Sequence, residues 1–408
     1  MSATERLYYN DSHLLEFDAR VIDLNERDDS AIAVTLDRTA FYPTGGGQPS
    51  DTGTLGAARV VDCIDAEAEG VLHVVQGPVP QIGETVHGKI DWLRRLDHMQ
   101  QHTGQHILSA AFIKTFNAPT RSFRVLEDDC EIDVELDDPS DERITKAVDL
   151  ANQIVWECRP IQVRQVTSAD AAALPLRKEP SREGDLRVIE IDEFDLTPCG
   201  GTHAKATGEV GVIAVRGWER ARGLTRIQFM AGIRVLNDYR KTNRTACEVA
   251  ALFSAGRDES PRLVSKLLQE NKNLVRRVGA LDEIACRVEA EELLRDLSER
   301  PAVAGGRNST TIITKIFDNR EGESLKQLAL ALVKRSNVIA LLGSRDGETA
   351  RLVFARSADA SGDMNALMRT ACAIIDGRGG GKSDLAQGGG KAVEKLNEAI
   401  NQAAKEII

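Results

Sequence analysis

The chain contains no run of about 18 apolar residues, the length a membrane-spanning helix needs, so a protein built from such helices is excluded. Its first 17 residues lack a basic stretch followed by an apolar one, and no secretory signal peptide is expected. Cysteine is sparse and odd in number: the seven thiols, at 63, 130, 158, 199, 247, 286 and 372, are scattered. That excludes a dense disulfide framework and fits the reduced thiols of a cytoplasmic protein. Positive charge is in deficit, with 52 Lys and Arg against 63 Asp and Glu, a net −11. Yet residues 301–408 hold 15 basic against 12 acidic side chains (+3), while residues 1–300 hold 37 against 51 (−14). A uniformly basic nucleic-acid-binding surface is excluded; a local phosphate-binding surface near the C-terminus is not. What is present is 408 residues, 42% hydrophobic and 28% charged, the balance of a globular protein too long for one core and sized for two to four domains.

The first ninety residues alternate apolar and polar positions in short runs (31–36, 58–64, 71–75) broken by turn clusters, above all YPTGGGQPSDTG at 42–53. They predict a small β-barrel or sandwich. From Asp91 the period becomes helical, with Leu93, Leu96, Ile107, Phe112 and Phe116 as expected buried positions. Strands are expected near 122–136, 161–166, 186–191, 212–215 and 225–231, and a helix near 140–157 opened by Pro139-Ser140. Residues 262–298 form a long helix. Val264, Asn271, Val278 and Ala285 at a, with Leu267, Leu274, Leu281 and Val288 at d, give four heptads, a short coiled coil or an amphipathic helix packed on its own domain. Residues 301–309 read as a linker, and the remainder alternates strand and helix around the Gly-rich tract GRGGGKSDLAQGGG at 377–390. The expected architecture is a multidomain α+β protein: a barrel (1–90), an α+β domain (91–240), a helical linker or coiled coil (241–300) and a small α/β domain (301–408).

Histidine occurs only seven times, yet His98, His102 and His106 fall within nine residues. At spacing i, i+4, i+8 they follow one helical stripe that drifts by about 40° per step, so two imidazoles one turn apart can share an ion and the third is carried out of register. Cys199 and His203 stand four apart across two glycines, which let the chain curl tightly. Two imidazoles from a helix plus a thiolate and an imidazole from a turn complete a tetrahedral set for Zn²⁺.

HTGQH at 102–106, followed some ninety residues later by CGGTH at 199–203, resembles the two zinc motifs of the alanyl-tRNA synthetase editing domain. YPTGGGQPSDTG resembles the Gly-rich motif of the domain before it. DLRVIEIDEFDLTPCGGTH, TGEVGVIAV at 207–215 and GLTRIQF at 223–229 continue the likeness in order, and the tract at 377–390 is similar to the synthetase's C-terminal module, DHHA1. The resemblance covers nearly the whole chain. The class II aminoacylation and anticodon-side regions are not expected ahead of the barrel, so the match is to the long form of the free-standing editing family. It implies zinc held by His102, His106, Cys199 and His203, with His98 outside the set; His98 is left to line the pocket or to cover helix surface. It implies Gln48 pointing from the barrel toward the editing pocket and Thr103 as a second polar group there; Thr44, Thr120 and Ser122 are further candidates for reading a serine hydroxyl. Arg378 and Lys382, among glycines that leave backbone N–H groups accessible, are expected to contact tRNA. The expected partner is tRNA(Ala) charged with serine or glycine, with no membrane and with a homodimer through the long helix or C-terminal domain.

Such an activity answers a recognition problem, because a pocket for alanine cannot strongly reject glycine or serine. Rival chemistries fail on particular residues. A Walker A loop ending in Gly381-Lys382-Ser383 would need glycine at 376, which is Asp376. A zinc protease needs a glutamate inside the helix motif, where His102 is followed by Thr-Gly-Gln. A DHH phosphodiesterase needs a second histidine where Asp97-His98 is followed by Met99. The alternative of another class is a tRNA-binding or regulatory protein with a structural zinc.

Overall fold

The computed structural model describes residues 4–26, 31–66, 69–171, 173–178, 185–298 and 310–407. Contacts divide the chain into two compact units, 1–249 and 250–408.

In the first unit, β1 (Glu5–Arg6) pairs in parallel with β4 (Arg38–Thr39). The strands β2 (Glu16–Glu26), β3 (Ile32–Leu36), β5 (Gly53–Leu55), β6 (Ala58–Asp65), β7 (Val71–Gln76) and β8 (Thr85–Ile90) close into an antiparallel barrel in the order β2-β3-β7-β6-β5-β8. The period of two explains the closure. On β2, Phe17, Ala19 and Val21 turn inward while Glu16, Asp18 and Arg20 face water, and Val34, Val60 and Val86 meet them inside. Buried His73 is held in this barrel between the Thr39 hydroxyl (2.7 Å) and the Val34 carbonyl (2.9 Å), and burial pushes it down to about 4, so it stays neutral.

Helix α1 (Trp92–Phe116) follows, started by the Asp91 carboxylate, which accepts from the N–H groups of Leu93 and Arg94, and stopped by Asn117 in the left-handed conformation. From His98 through Phe112 it is enclosed on nearly every side, Gln100 excepted. A helix buried all round has no clean amphipathic phase. Ile107 and Phe112 are therefore core, as expected, but Leu93 is 77% exposed and the buried residue of the first turns is Arg95. His98 is likewise not on the helix surface: it is 3% exposed, and burial pushes it down to about 4. Strands β9 (Thr120–Val125) and β10 (Cys130–Val134), helix α2 (Asp141–Trp156), β11 (Ile161–Val166), a single turn α3 (Ser168–Ala171), β12 (Leu186–Ile191), β13 (Asp195–Pro198), β14 (Ile213–Ala221), β15 (Leu224–Ala231) and helix α4 (Ile233–Ala251) complete the unit. Sheet β14-β15-β10-β9 packs one face on α1 and α2 through Ile107, Phe112, Ile132, Ala147, Ala151 and Phe229; β11-β12-β13 forms a separate sheet.

The second unit begins with α5 (Ser260–Ser298), continues through β16 (Thr311–Asp318), α6 (Gly322–Leu332), β17 (Val338–Asp346), β18 (Thr349–Arg356) and α7 (Met364–Ile374), and ends with β19 (Gly377–Gly381), β20 (Leu385–Gly390) and α8 (Leu396–Lys405). The expected linker at 301–309 lies outside the described residues. The sheet runs β16-β17-β18-β20-β19, parallel only between β16 and β17, where α6 makes the crossover. Alternate residues of β17 serve two cores: Ile339 and Leu341 face α7 and α8, while Ala340 and Leu342 face α6 and the C-terminal part of α5. The Gly-rich tract is not a loop. It is the hairpin β19–β20, with its backbone groups in the ladder, so the expectation of freely accessible amides along it is corrected. The glycines there answer to packing: a Cβ on Gly388 would fall 2.3 Å from the Cys372 sulfur on α7.

Candidate metal centre

Two adjacent turns of α1 carry His102 and His106, whose ring centroids lie 5.3 Å apart. The turn after β13 brings Cys199 and His203 against them, with His203 at 4.6 Å from each of the other rings. This turn is fastened from behind: the Cys199 N–H donates to the Arg187 carbonyl, and the His203 N–H donates to the Ser12 hydroxyl. One donor atom from each of the four side chains lies within 4.8 Å of all the others. The Cys199 sulfur is 3.4 Å from His102 Nε2 and 3.3 Å from His203 Nε2. Bond lengths of about 2.0–2.1 Å to nitrogen and about 2.3 Å to sulfur give tetrahedral edges of roughly 3.3–3.6 Å, so the donors fit zinc.

His102 and His203 are each turned by a hydrogen-bond partner on Nδ1, which leaves Nε2 facing Cys199, while His106 has a carboxylate nearby. His102 Nδ1–H donates to Gln48 Oε1 at 2.7 Å, and Gln48 Nε2 donates to the Thr202 hydroxyl at 2.8 Å. His203 Nδ1 lies 3.2 Å from the Thr103 hydroxyl oxygen, which also accepts from the Ala204 N–H. His106 Nδ1 lies 3.4 Å from Asp195 Oδ2, and Asp195 is clamped by Arg177 at 2.6 and 3.2 Å. The electrostatics pull the four groups in different directions: although burial works to lower it, His106 is raised by Asp195 and Cys199. Burial opposes ionisation of Cys199, but the neighbouring imidazoles draw its thiol well below its ordinary value. Burial holds His203 neutral, down to about 3. Although burial works to raise it, Asp195 is held down to about 2 by His106 and Arg177.

A cavity of about 520 Å³ opens onto this cluster, with His102, Cys199, Gly200 and Gly201 in its wall beside Tyr42 and Thr44 of the Gly-rich barrel motif. Gln48 and Thr103 are 1% and 0% exposed, and both lie behind the ligands rather than on the cavity wall. Of the three candidate hydroxyl readers, Thr44 lines the cavity; Thr120 donates to Ser109 and Ser122 to Asp133. Arg378 and Lys382 are exposed on the glycine hairpin of the other unit. Sequence reasoning missed Asp195, Arg177 and Arg187. A carboxylate four residues before Cys199 and an arginine among the apolar residues of β12 were the available signals.

The fold and the centre together define a class: a small barrel joined to an α+β domain, with a His₃Cys cluster facing a shared cavity. Comparison with known proteins narrows it. The model for the threonyl and alanyl tRNA synthetase second additional domain matches residues 186–228, that for the DHHA1 domain 308–408, and that for class II (A) tRNA synthetases 2–94. The alanyl-tRNA editing protein AlaX-L of Pyrococcus horikoshii is 32% identical over 98% of this chain and 98% of its own length. The alanine–tRNA ligases of Methanobrevibacter smithii and Methanoregula boonei are 28% and 32% identical over 98% and 99% of this chain, which spans 45% and 43% of their lengths. The solved C-Ala domain of Aquifex aeolicus alanyl-tRNA synthetase is 28% identical over 26% of this chain and 98% of its own length, with a TM-score of 0.24. The chain belongs to the stand-alone alanyl-tRNA editing family.

Proposed function

We propose that this chain hydrolyses the ester of mischarged tRNA(Ala), chiefly the seryl and also the glycyl form, with zinc as cofactor. The observation that carries the reading is the His₃Cys cluster opening onto a cavity built jointly with the Gly-rich barrel motif. His102, His106, Cys199 and His203 are the proposed ligands. Zinc bound there supplies a positive centre that orients and polarises the aminoacyl end of the substrate. Gln48 and Thr103 act by holding His102 and His203 in the ligating orientation, and Thr44, which lines the cavity and whose hydroxyl accepts from the Ser50 N–H, is the proposed contact for the amino-acid side chain. Four protein ligands fill a tetrahedron, which favours a substrate-holding metal over one that carries a reactive water. The division of labour follows the parts proposed from sequence: barrel and editing domain (1–90, 91–240) for the ester, the helical segment (241–300) for assembly, and the C-terminal domain (301–408) for the tRNA body. In the last, Arg378 and Lys382 contribute salt-dependent phosphate contacts.

Metal removal tests the reading. Chelation should abolish deacylation of Ser-tRNA(Ala), and added zinc should restore it. Full activity in metal-free protein would contradict a zinc role, and no activity in zinc-loaded protein would leave the rival reading, a tRNA-binding protein with a structural zinc.

The coiled coil is proposed on the exposure of α5. Leu267, Leu268, Leu274, Val275, Val278 and Leu281 are 52–66% exposed. A second copy suits this stripe in one antiparallel register. Val264 faces Leu281, Leu267 faces Val278, Leu268 faces Val275 and Glu270 faces Arg277 of the other copy. Shifts of one heptad set Glu270 or Arg277 against itself, and a parallel pair sets Glu270 beside Val275. Light scattering should give a dimer, Leu274→Glu a monomer, and Glu270→Arg a weakened dimer that Arg277→Glu restores. A monomeric wild-type chain at micromolar concentration would refute it.

A further inference from the structure

Arg187, at the start of β12, is 9% exposed and lines the cavity beside Cys199 and His102. Its guanidinium is only partly used. Nε donates to the Tyr9 carbonyl at 3.1 Å, and Nη1 donates to the carbonyls of Cys199 at 2.7 Å and Gly201 at 2.9 Å. Nη2 is buried and has no hydrogen-bond partner. Among the described residues no carboxylate forms an ion pair with it. The other arginine of this wall, Arg6, is neutralised by Asp65 through two bonds of 2.6 and 2.8 Å. Arg187 is thus a buried cation with an idle N–H edge and, among the described residues, no carboxylate partner.

A buried charge left unpaired is costly, and a fold keeps such a group where a ligand completes it. A planar guanidinium with free N–H groups matches the oxygens of a phosphate or carboxylate. The aminoacyl group brings no such anion, because its carboxyl is esterified and its amine is cationic. The nearest negative charge on the substrate is the phosphodiester on the 5′ side of the terminal ribose, one sugar away from the ester. A cavity of about 520 Å³ falls within the roughly 300–1,000 Å³ range of small-molecule sites, which is room for a nucleotide. The Tyr9 ring, 5.3 Å from the guanidinium carbon, adds an aromatic wall at the same point.

We propose that Arg187 binds the phosphate of the terminal nucleotide through Nη2 and so anchors that nucleotide beside the metal centre. This rests on the deacylase reading for its substrate but not for its test. The probes are adenosine 5′-monophosphate and adenosine, with binding to zinc-loaded full-length protein measured by calorimetry. Wild type should prefer the nucleotide to the nucleoside. Arg187→Gln should lose that preference by about tenfold to a hundredfold, the range for a hydrogen bond to a charged group. Arg187→Lys should keep part of it, and adenosine affinity and zinc content should stay unchanged in both. The same comparison with seryl esters of the two probes should move KM and spare kcat. An equal loss for both probes would make Arg187 a brace for the turn at 199–201 and overturn the proposal, as would no loss at all. If the chain hydrolyses no ester yet binds the nucleotide through Arg187, the deacylase reading falls and the phosphate site stands.

Discussion

Gly201→Ala is expected to strip the metal centre and to end hydrolysis, while Gly200→Ala, one residue away, leaves zinc content unchanged. A Cβ at 201 would lie 2.2 Å from His102 Cε1 and 2.5 Å from Nδ1, with Gln48 Oε1 at 3.2 Å. The ring can escape only by rotating out of the ligating orientation that Gln48 gives it, or by pushing the turn and Cys199 away. Either movement removes one ligand of four. Loss of a partner behind a ligand already costs about 10–100-fold in metal affinity or activity, and displacing the ligand itself costs more. At 200 the nearest atom to a Cβ is the Tyr9 hydroxyl at 3.7 Å, an ordinary contact. Elemental analysis of the two purified variants decides it. Equal zinc in both would mean that the turn relaxes without disturbing His102.

Asp51→Ala should be among the most destabilising single substitutions in the first unit. Asp51 and Arg95 are both fully buried, and their ion pair joins the barrel to the start of α1. Arg95 also donates to the carbonyls of Ser12 and Ala40, each at 2.6 Å, while Asp51 accepts from the Tyr42 N–H. Removing the carboxylate leaves a buried guanidinium without a counter-charge, a loss of about 3–5 kcal/mol. For a unit of this size that is a fall in melting temperature of roughly 6–20 °C. Replacing both partners, as Asp51→Leu with Arg95→Met, should recover much of the loss, because no charge is then stranded. An unchanged melting curve for Asp51→Ala would show that water reaches Arg95.

How much of this was legible beforehand depended on whether the signal was local. The barrel strands followed from alternation, α1 from its helical period, and the pairing of HTGQH with CGGTH from the chemistry of the donors. Three kinds of feature stayed hidden. Glycine carries no apolar periodicity, so the tract at 377–390 suggests accessible backbone N–H groups rather than a strand pair; there the absent side chains make room for α7. Enclosure of α1 on nearly every side erased the phase that would have placed Leu93 outside and Arg95 and His98 inside. The groups that orient the ligands act across long separations, Gln48 on His102 and Thr103 on His203, and no local pattern marks such a contact. Gln48 and Thr103 are singled out through family resemblance as pocket groups, and the structure puts them behind His102 and His203 instead.

The measurement that bears most directly on the central claim is the rate at which purified, zinc-loaded protein deacylates Ser-tRNA(Ala) compared with Ala-tRNA(Ala). A cavity that accepts the serine hydroxyl beside Thr44 and the metal centre should hydrolyse the seryl ester much faster and leave the alanyl ester near its spontaneous rate. Equal rates on the two esters, or none above buffer on either, would contradict the account.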